Sequence, residues 1–135
     1  MIFVDSNILI DVFDCDPKWA EWSGKQLGDA VGRTALAITL IVVAEVAPRF
    51  DSLDAFAVAL GAFSITVEPL TDEAAYAAGK AFRAHRRLRE GPRSILADFV
   101  IGGQAEIAGA AILTRDPAIY ARYFPEVSLI CPENS

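Results

Sequence analysis

The sequence has few of the residues that build disulfide scaffolds or zinc sites. It contains two cysteines, Cys15 and Cys131, and one histidine, His85, among 135 residues. The cysteines form no CxxC or Cys/His pattern, so the sequence predicts neither a disulfide framework nor a zinc centre. We expect both thiols to be free and buried, and we expect any metal site to use other ligands.

Long hydrophobic runs are also missing. The longest apolar run, Ala55 to Leu60, extends only to Phe63 when it is read through Gly61. About 20 apolar residues are needed to cross a bilayer, so we expect no membrane-spanning segment. The N-terminus shows neither a basic segment nor a small-residue cleavage site, which indicates a cytoplasmic protein.

An excess of positive charge is the third feature that the sequence lacks. Twelve basic and 18 acidic residues give a net charge of −6, which does not favour binding of nucleic acid by bulk charge. The distribution is uneven, however, because six basic residues and one acid lie between Lys80 and Arg93. The chain therefore combines an acidic remainder with one basic stretch.

The length and apolar content are those of one folded domain. With 135 residues, 53% of them hydrophobic, the chain is long enough to bury a core, and we expect a single domain over residues 1–135. Short apolar segments alternate with longer helical segments, which predicts an α/β fold whose central, mostly parallel sheet is covered on both faces. The strands are expected at 2–4, 36–38, 64–67, 111–114 and 127–130.

Capping residues and prolines predict where the helices begin and end. Ser6 or Asn7 is expected to cap the first helix, Thr39 the helix that contains Glu45, and Asp51 or Ser52 the one after it. A long Ala-rich helix is expected to open at 71–73 and to stop before Gly91-Pro92, and another is expected over about 94–108.

Four acidic residues lie in sequence surroundings that are too apolar for ordinary surface charges. Asp5 follows Ile-Phe-Val, Asp116 follows Ala-Ile-Leu-Thr-Arg, and Glu45 and Asp98 lie within apolar helical segments. Parallel sheets bind ligands outside the carboxyl ends of their strands, where these side chains are expected to meet. Gathered carboxylates repel one another, and a hard divalent cation such as Mg²⁺ or Mn²⁺ offsets that repulsion. We therefore expect a metal site, although a helix cap or an ion pair with arginine is the alternative for any single acid.

Four sequence blocks together resemble a known family. They are F-V-D-S-N-I-L-I-D, T-L-I-V-V-A-E-V, R-L-R-E-G followed by I-L-A-D-F-V-I, and I-L-T-R-D-P-A-I-Y-A-R-Y-F-P. In this order, and over essentially the whole chain, they resemble PIN-domain ribonucleases and in particular the VapC-like toxins of type II toxin–antitoxin pairs. The resemblance implies a PIN-like, Rossmann-type α/β/α sandwich.

The resemblance also implies a function and the residues that carry it. The implied activity is an Mg²⁺- or Mn²⁺-dependent endoribonuclease that hydrolyses RNA phosphodiesters with metal-activated water. The implied partners are RNA and a cognate antitoxin, and such toxins often form homodimers. Carried over by position, the catalytic and metal-binding residues are Asp5, Glu45, Asp98 and Asp116, and the polar residues that support them are Asn7 and Thr114.

The basic stretch is expected to contact RNA phosphates, because guanidinium groups bind phosphate bidentately. The alternatives are a solvated helix end whose cations complement the helix dipole, or a dock for an acidic antitoxin tail. His85 is expected to belong to this patch rather than to act as a general base. The residues expected to bind RNA are Arg83, Arg86, Arg87 and Arg93.

Two further groups of residues are expected to be structural. Asp11, Asp14 and Asp16 lie where the chain turns polar, and we expect them to be solvated caps. The aromatic residues are expected in the core or in a dimer interface rather than in the site, and they are Trp19, Trp22, Tyr120, Tyr123 and Phe124.

One departure from the family pattern follows Asp98. The family often has Ile-Ala-Ala there, and this chain has Ile101-Gly102-Gly103. Each glycine costs a helix about 1 kcal/mol relative to alanine, so we expect close packing of this helix against the sheet as the reason.

Other functions remain open from the sequence. A housekeeping RNA-processing PIN nuclease and a non-catalytic PIN-fold module that binds a partner are both compatible with the fold. A receiver-like phosphoacceptor is disfavoured because its paired acids after the first strand, its acceptor Asp and its lysine are absent from the sequence. A DxD phosphatase is disfavoured because Asn7 stands two positions after Asp5.

Overall fold

The structure is a computed structural model that describes residues 1–88 and 96–133, including the backbone but not the side chains of residues 87–88. A five-stranded, all-parallel sheet lies at its centre, with the strand order β3-β2-β1-β4-β5. The elements along the chain are β1 (Ile2–Val4), α1 (Ser6–Phe13), α2 (Ala20–Ala30), β2 (Leu36–Ile38), α3 (Leu40–Val46), α4 (Leu53–Gly61), β3 (Ile65–Val67), α5 (Asp72–Leu88), α6 (Leu96–Ala108), β4 (Ala111–Leu113), α7 (Ala118–Tyr123) and β5 (Leu129–Ile130).

The sheet is covered on both faces, as expected from its short apolar strands. Successive side chains of a strand point to opposite faces, and all three residues of β2 are buried. The core contains residues from the central strands and from the helices, among them Phe3, Ile38, Phe56 and Phe99. The predicted α/β fold with a mostly parallel sheet is therefore confirmed.

The register of the central strands brings their carboxyl ends together. Phe3 pairs with Ala37 of β2 on one side and with Ile112 of β4 on the other. The backbone N–H of Asp5 donates to the carbonyl of Leu113 at 2.9 Å, which continues the β1–β4 pairing by one residue. The first residue after β1 therefore lies beside the first residue after β4.

The helix caps differ in part from the prediction. Helix α1 already begins at Ser6, so Ser6 and Asn7 lie in its first turn and Asp5 precedes it. Thr39 precedes α3 in extended backbone, but its side chain makes no capping hydrogen bond and its buried Oγ1 has no partner within the described part of the chain. Ser52 is confirmed as a cap, because its Oγ accepts from the N–H of Ala55 at 3.0 Å.

The Gly102-Gly103 pair is explained by packing between helices rather than against the sheet. A Cβ atom on Gly103 would lie 2.7 Å from both the carbonyl oxygen of Ala74 and the backbone nitrogen of Ala78, on α5. A Cβ atom on Gly102 would collide with the ring of Phe124. Only glycine lets α5 and Phe124 approach α6 this closely.

Two further expectations concerned the burial of the cysteines and membrane-spanning segments. Both cysteines are free, but Cys15 is exposed and Cys131 is partly exposed, so the expectation of buried thiols is wrong. Cys15 lies in the tight turn after α1 with a φ of 53°, where its side chain faces solvent. None of the helices that the structure describes is long and apolar enough to cross a membrane.

Candidate metal centre

Asp5 lies at the centre of a hydrogen-bonded group at the carboxyl ends of β1 and β4. Its side chain is 5% exposed, and its Oδ2 accepts a hydrogen bond from Thr114 Oγ1 at 2.8 Å. The same threonine oxygen accepts from the backbone N–H of Asp116 at 3.0 Å. Thr114 thus links the carboxylate after β1 to the loop that carries Asp116.

Asn7 connects α1 to that same loop. Its Nδ2 donates to Thr114 Oγ1 at 3.4 Å, and its Oδ1 accepts from the backbone N–H of Arg115 at 3.2 Å. The structure therefore places both residues that were expected to support the acids beside Asp5, with their polar atoms engaged in one network.

Glu45 and Asp98 approach from α3 and α6. Glu45 is half-buried, and its Oε1 accepts a short hydrogen bond of 2.6 Å from Ser6 Oγ in the first turn of α1. Asp98 lies in the first turn of α6 and is also half-buried. Asp116 is the exception among the four acids, because it is exposed although apolar residues precede it in the sequence.

The electrostatics show that the four carboxylates lie close enough for their charges to interact. Burial, followed by the charges of Asp5, Asp116 and Glu45 in that order, raises the pKa of Asp98 to about 7. Burial also raises the pKa of Asp5, and the hydrogen bonds from Thr114 and Tyr120 oppose that shift. The ionised forms of Asp5 and Asp98 are thus disfavoured by burial and by their acidic neighbours, and a nearby cation would favour them.

The donor set fits a hard divalent cation. All four acids offer carboxylate oxygens, which Mg²⁺ and Mn²⁺ prefer, and repulsion among them is the property that a cation relieves. Within the described residues, no three His, Cys, Asp or Glu side chains stand close enough to ligate one ion together. Because Mg²⁺ commonly binds through one or two carboxylates and keeps several waters, this spacing suits a partly hydrated ion.

Tyr120 is a site residue that the sequence-based interpretation placed in the core. Its side chain is buried as expected, but its hydroxyl donates to Asp5 Oδ2 at 2.9 Å. The expectation that none of these aromatic residues belongs to the site is therefore wrong for Tyr120. One feature of the sequence could have pointed to Tyr120 as a site residue. It is a tyrosine in a short, mostly apolar helical segment, four residues after Asp116.

Asp11 was also misjudged, because it is an ion-paired core residue and not a solvated cap. Its carboxylate is 1% exposed and accepts from Arg115 Nε at 2.6 Å and from Arg115 Nη2 at 2.9 Å. Ser23 Oγ adds a third hydrogen bond at 2.7 Å, and the guanidinium lies 5.0 Å from the ring centre of Trp19. Asp16 does cap a turn, since its Oδ1 accepts from the N–H groups of residues 18 and 19.

The basic stretch is described in part. Helix α5 packs against α6 so that Phe82 contacts Phe99, near the start of α6, while Ala74 lies beside Gly103 further along α6. The two helices are therefore antiparallel, and the end of α5 lies at the same end of the molecule as Asp98. Arg83 and Arg86 are exposed there. Arg87 has a described backbone only, and Arg93 lies outside the described residues.

His85 does not belong to an exposed basic patch. Its side chain is buried between α5, α6 and α7, where Nδ1 lies 3.0 Å from the Tyr123 hydroxyl and the imidazole packs on Phe99. The helical period turns residue 85 towards α6 while Arg83 and Arg86 face solvent. It is a structural residue of the helix interface.

Comparison with known proteins places this geometry in a family. The family model described as PIN domain matches residues 2–125. No curated protein matches the chain.

Among solved structures, the VapBC2 complex of Rickettsia felis, bound to a promoter DNA fragment, is similar to the chain. The TM-score is 0.71 and the identity 17%, over 97% of this chain and 98% of the other. A toxin–antitoxin complex from Klebsiella pneumoniae is similar with a TM-score of 0.70 and 21% identity, over 94% and 95% of the two chains. DNA-bound VapBC from Salmonella typhimurium gives a TM-score of 0.70 and 21% identity over 96% of both.

These likenesses confirm the resemblance that the four sequence blocks suggested. The family match covers all four blocks, and the solved structures share the fold over nearly the whole chain. At these identities the structural likeness establishes the fold.

Proposed function

Because the chain belongs to the PIN-domain family, whose members are generally nucleases that use divalent metals, we propose that it is an Mg²⁺- or Mn²⁺-dependent endoribonuclease. The observation that carries this proposal is the group of four carboxylates near the carboxyl ends of β1 and β4, where burial and the three neighbouring charges raise the pKa of Asp98. Such burial and repulsion lower the stability of the folded protein, and a cation relieves them.

In this proposal the four acids surround a partly hydrated cation, which one or two of the carboxylates ligate directly and the others hold through its waters. The basic end of α5 is proposed to contact the substrate. Asp5, Glu45, Asp98 and Asp116 provide carboxylate oxygens, and Thr114 and Asn7 fix the loop that carries Asp116. Ser6 holds the Glu45 carboxylate through its 2.6 Å hydrogen bond. A bound Mg²⁺ or Mn²⁺ supplies a Lewis acid that lowers the pKa of water and stabilises charge on the phosphate.

RNA is the proposed substrate, and arginines near the site are its proposed phosphate contacts. Arg83 and Arg86 are exposed at the end of the molecule where α6 begins with Asp98. Guanidinium groups there offset the repulsion between an acidic protein and a polyanion. Arg87 and Arg93 extend the same basic stretch in the sequence.

We further propose that the protein is the toxin of a type II toxin–antitoxin pair, with an antitoxin as its partner. The support is the shared fold with VapBC and related toxin–antitoxin complexes over at least 94% of the chain. A homodimer is the proposed assembly, which gel filtration with light scattering tests.

Controlled expression in a bacterial host tests the proposal as a whole. We expect the wild type to arrest growth and to leave cleaved RNA in the cells, and we expect Asp5→Asn, which keeps the size of the side chain, to do neither. Co-expression with the protein encoded beside its gene is expected to restore growth. Arrest by Asp5→Asn at equal protein levels would contradict a toxin that acts through this site.

A further inference from the structure

Helix α7 carries a phenol into the group of acids. The Tyr120 side chain is 1% exposed, and its hydroxyl donates to Asp5 Oδ2 at 2.9 Å. A buried tyrosine needs a partner for its O–H, and here the partner is a carboxylate of the proposed metal site rather than a backbone carbonyl. The remainder of the ring is packed in the core, so the position of the hydroxyl is fixed by the fold.

Two side-chain donors meet on the same oxygen of Asp5. Thr114 Oγ1 lies 2.8 Å from Oδ2 and Tyr120 Oη lies 2.9 Å from it. Within the described part of the chain no side-chain donor contacts Oδ1. The two donors come from different elements, the end of β4 and the middle of α7, so together they restrict rotation of the carboxylate.

We propose that Tyr120 is a positioning residue for Asp5, which holds Oδ2 together with Thr114 so that the carboxylate is presented to a divalent cation in one orientation. This inference rests on the proposed function, because it assigns Asp5 to a metal. Ligating carboxylates are commonly oriented by hydrogen bonds of this kind, and loss of one such partner costs about 10–100-fold in metal affinity or activity.

The same helix provides a matched control. Tyr123 lies one turn further along α7, and its hydroxyl contacts His85 Nδ1 at 3.0 Å instead of an acid of the site. Tyr120→Phe and Tyr123→Phe each remove one oxygen from a buried or half-buried phenol. Any difference between them in metal binding reports the contact with Asp5.

The test is titration of the purified full chain with Mn²⁺ by isothermal calorimetry in the absence of RNA. We expect the Kd for Mn²⁺ to rise about 10-fold or more in Tyr120→Phe and to change less than about 2-fold in Tyr123→Phe. In RNA cleavage, Tyr120→Phe is expected to need more Mn²⁺ for half-maximal rate, while kcat at saturating Mn²⁺ stays near the wild-type value.

The results distinguish a failure of the positioning role from a failure of the proposed function on which it rests. Unchanged Mn²⁺ affinity in folded Tyr120→Phe would overturn the positioning role and leave the metal site standing, whereas a wild type that binds no Mn²⁺ would overturn the proposed function. A second measurement needs no Tyr120 variant: Mg²⁺ added to Tyr123→Phe is expected to perturb the ultraviolet absorption of the remaining buried phenol. Mg²⁺ binding without such a perturbation would contradict the role of the Tyr120–Asp5 hydrogen bond in positioning Asp5.

Discussion

At the scale of single residues, Asp98 shows how burial and neighbouring charges together change the titration of one carboxyl. They raise its pKa from the ordinary 3.8 to about 7 in the folded protein. The folded protein therefore binds more protons than the unfolded chain between these pH values, and linkage lowers the free energy of unfolding as the pH rises through this range. The loss is complete only when the pH is well above 7 and Asp98 is ionised.

We predict that Asp98→Asn stabilises the metal-free protein, and more so at pH 8 than at pH 5. The amide removes a charge that burial and three acids disfavour, without changing the size of the side chain. The gain in Tm at pH 8 should be a few degrees, since about 1 kcal/mol moves Tm by roughly 3–5 °C at this chain length. Thermal melts in EDTA at both pH values measure it.

Asp54→Asn is the control for that comparison. Asp54 is an exposed acid in the first turn of α4, and its replacement is expected to give no pH-dependent gain. A Tm gain for Asp98→Asn that is equal at both pH values would contradict the raised pKa of Asp98.

Some residues of the candidate site could be predicted from their local sequence, and others could not. Asp5, Glu45 and Asp98 were singled out as candidates because burying a charge within an apolar segment is costly. Tyr120 and Asp11 were missed because their roles depend on partners far away in the chain, 115 and 104 residues distant. Composition and spacing carry no information about such pairs.

At the scale of elements, the packing of α5 on α6 depends on a position without a side chain. We predict that Gly103→Ala destabilises the protein by about 1–3 kcal/mol, as overpacking of a filled interior does. The new methyl group would lie 2.7 Å from backbone atoms of α5, which cannot move aside as a flexible side chain can. Urea unfolding followed by circular dichroism measures the change.

Gly79→Ala on the facing helix is the matched control. A Cβ atom there meets nothing within 4 Å, so the helix propensity of alanine should stabilise the protein by about 1 kcal/mol. Gly103→Ala as stable as the wild type would show that the helices have room to separate.

The ion pair between Arg115 and Asp11 connects the loop between β4 and α7 to helix α1. We predict that Arg115→Met costs about 2–4 kcal/mol, because it leaves a buried carboxylate without its cation. The guanidinium is 27% exposed, which places the cost below that of a fully buried pair. Chemical unfolding is the measurement, with Lys25→Met as its control.

Lys25 pairs with Asp29 at 2.6 Å on the exposed face of α2, where the two side chains are 68% and 56% exposed. Its loss is expected to leave the unfolding midpoint unchanged, since exposed pairs are weak. Equal changes in stability for Arg115→Met and Lys25→Met would show that the Arg115–Asp11 ion pair does not stabilise this loop.

Elements were predicted better than their ends. The alternation of short apolar runs with helical segments was enough to predict the five strands and a mostly parallel sheet, but not the order of the strands in it. Caps were harder, since Thr39 precedes α3 with no capping bond although its residue type favours one. Three-dimensional packing decides which polar side chain is free to turn towards a helix end, and local sequence does not record it.

At the scale of the whole molecule, negative charge is concentrated at one edge of the sheet and positive charge borders it. The net charge is −6, yet Arg83 and Arg86 are exposed at the end of α5 beside the start of α6. In the proposed function, a cation at the acidic site would reduce the repulsion of an RNA phosphate, and these arginines would attract it. Metal dependence and RNA cleavage are therefore expected to go together.

Cleavage of total RNA by the purified protein with Mg²⁺, with Mn²⁺ and with EDTA tests that claim most directly, comparing the wild type with Asp98→Asn and with Asp54→Asn. We expect discrete products that require metal, that persist in Asp54→Asn and that disappear in Asp98→Asn. The same products in EDTA, or from folded Asp98→Asn, would contradict that claim.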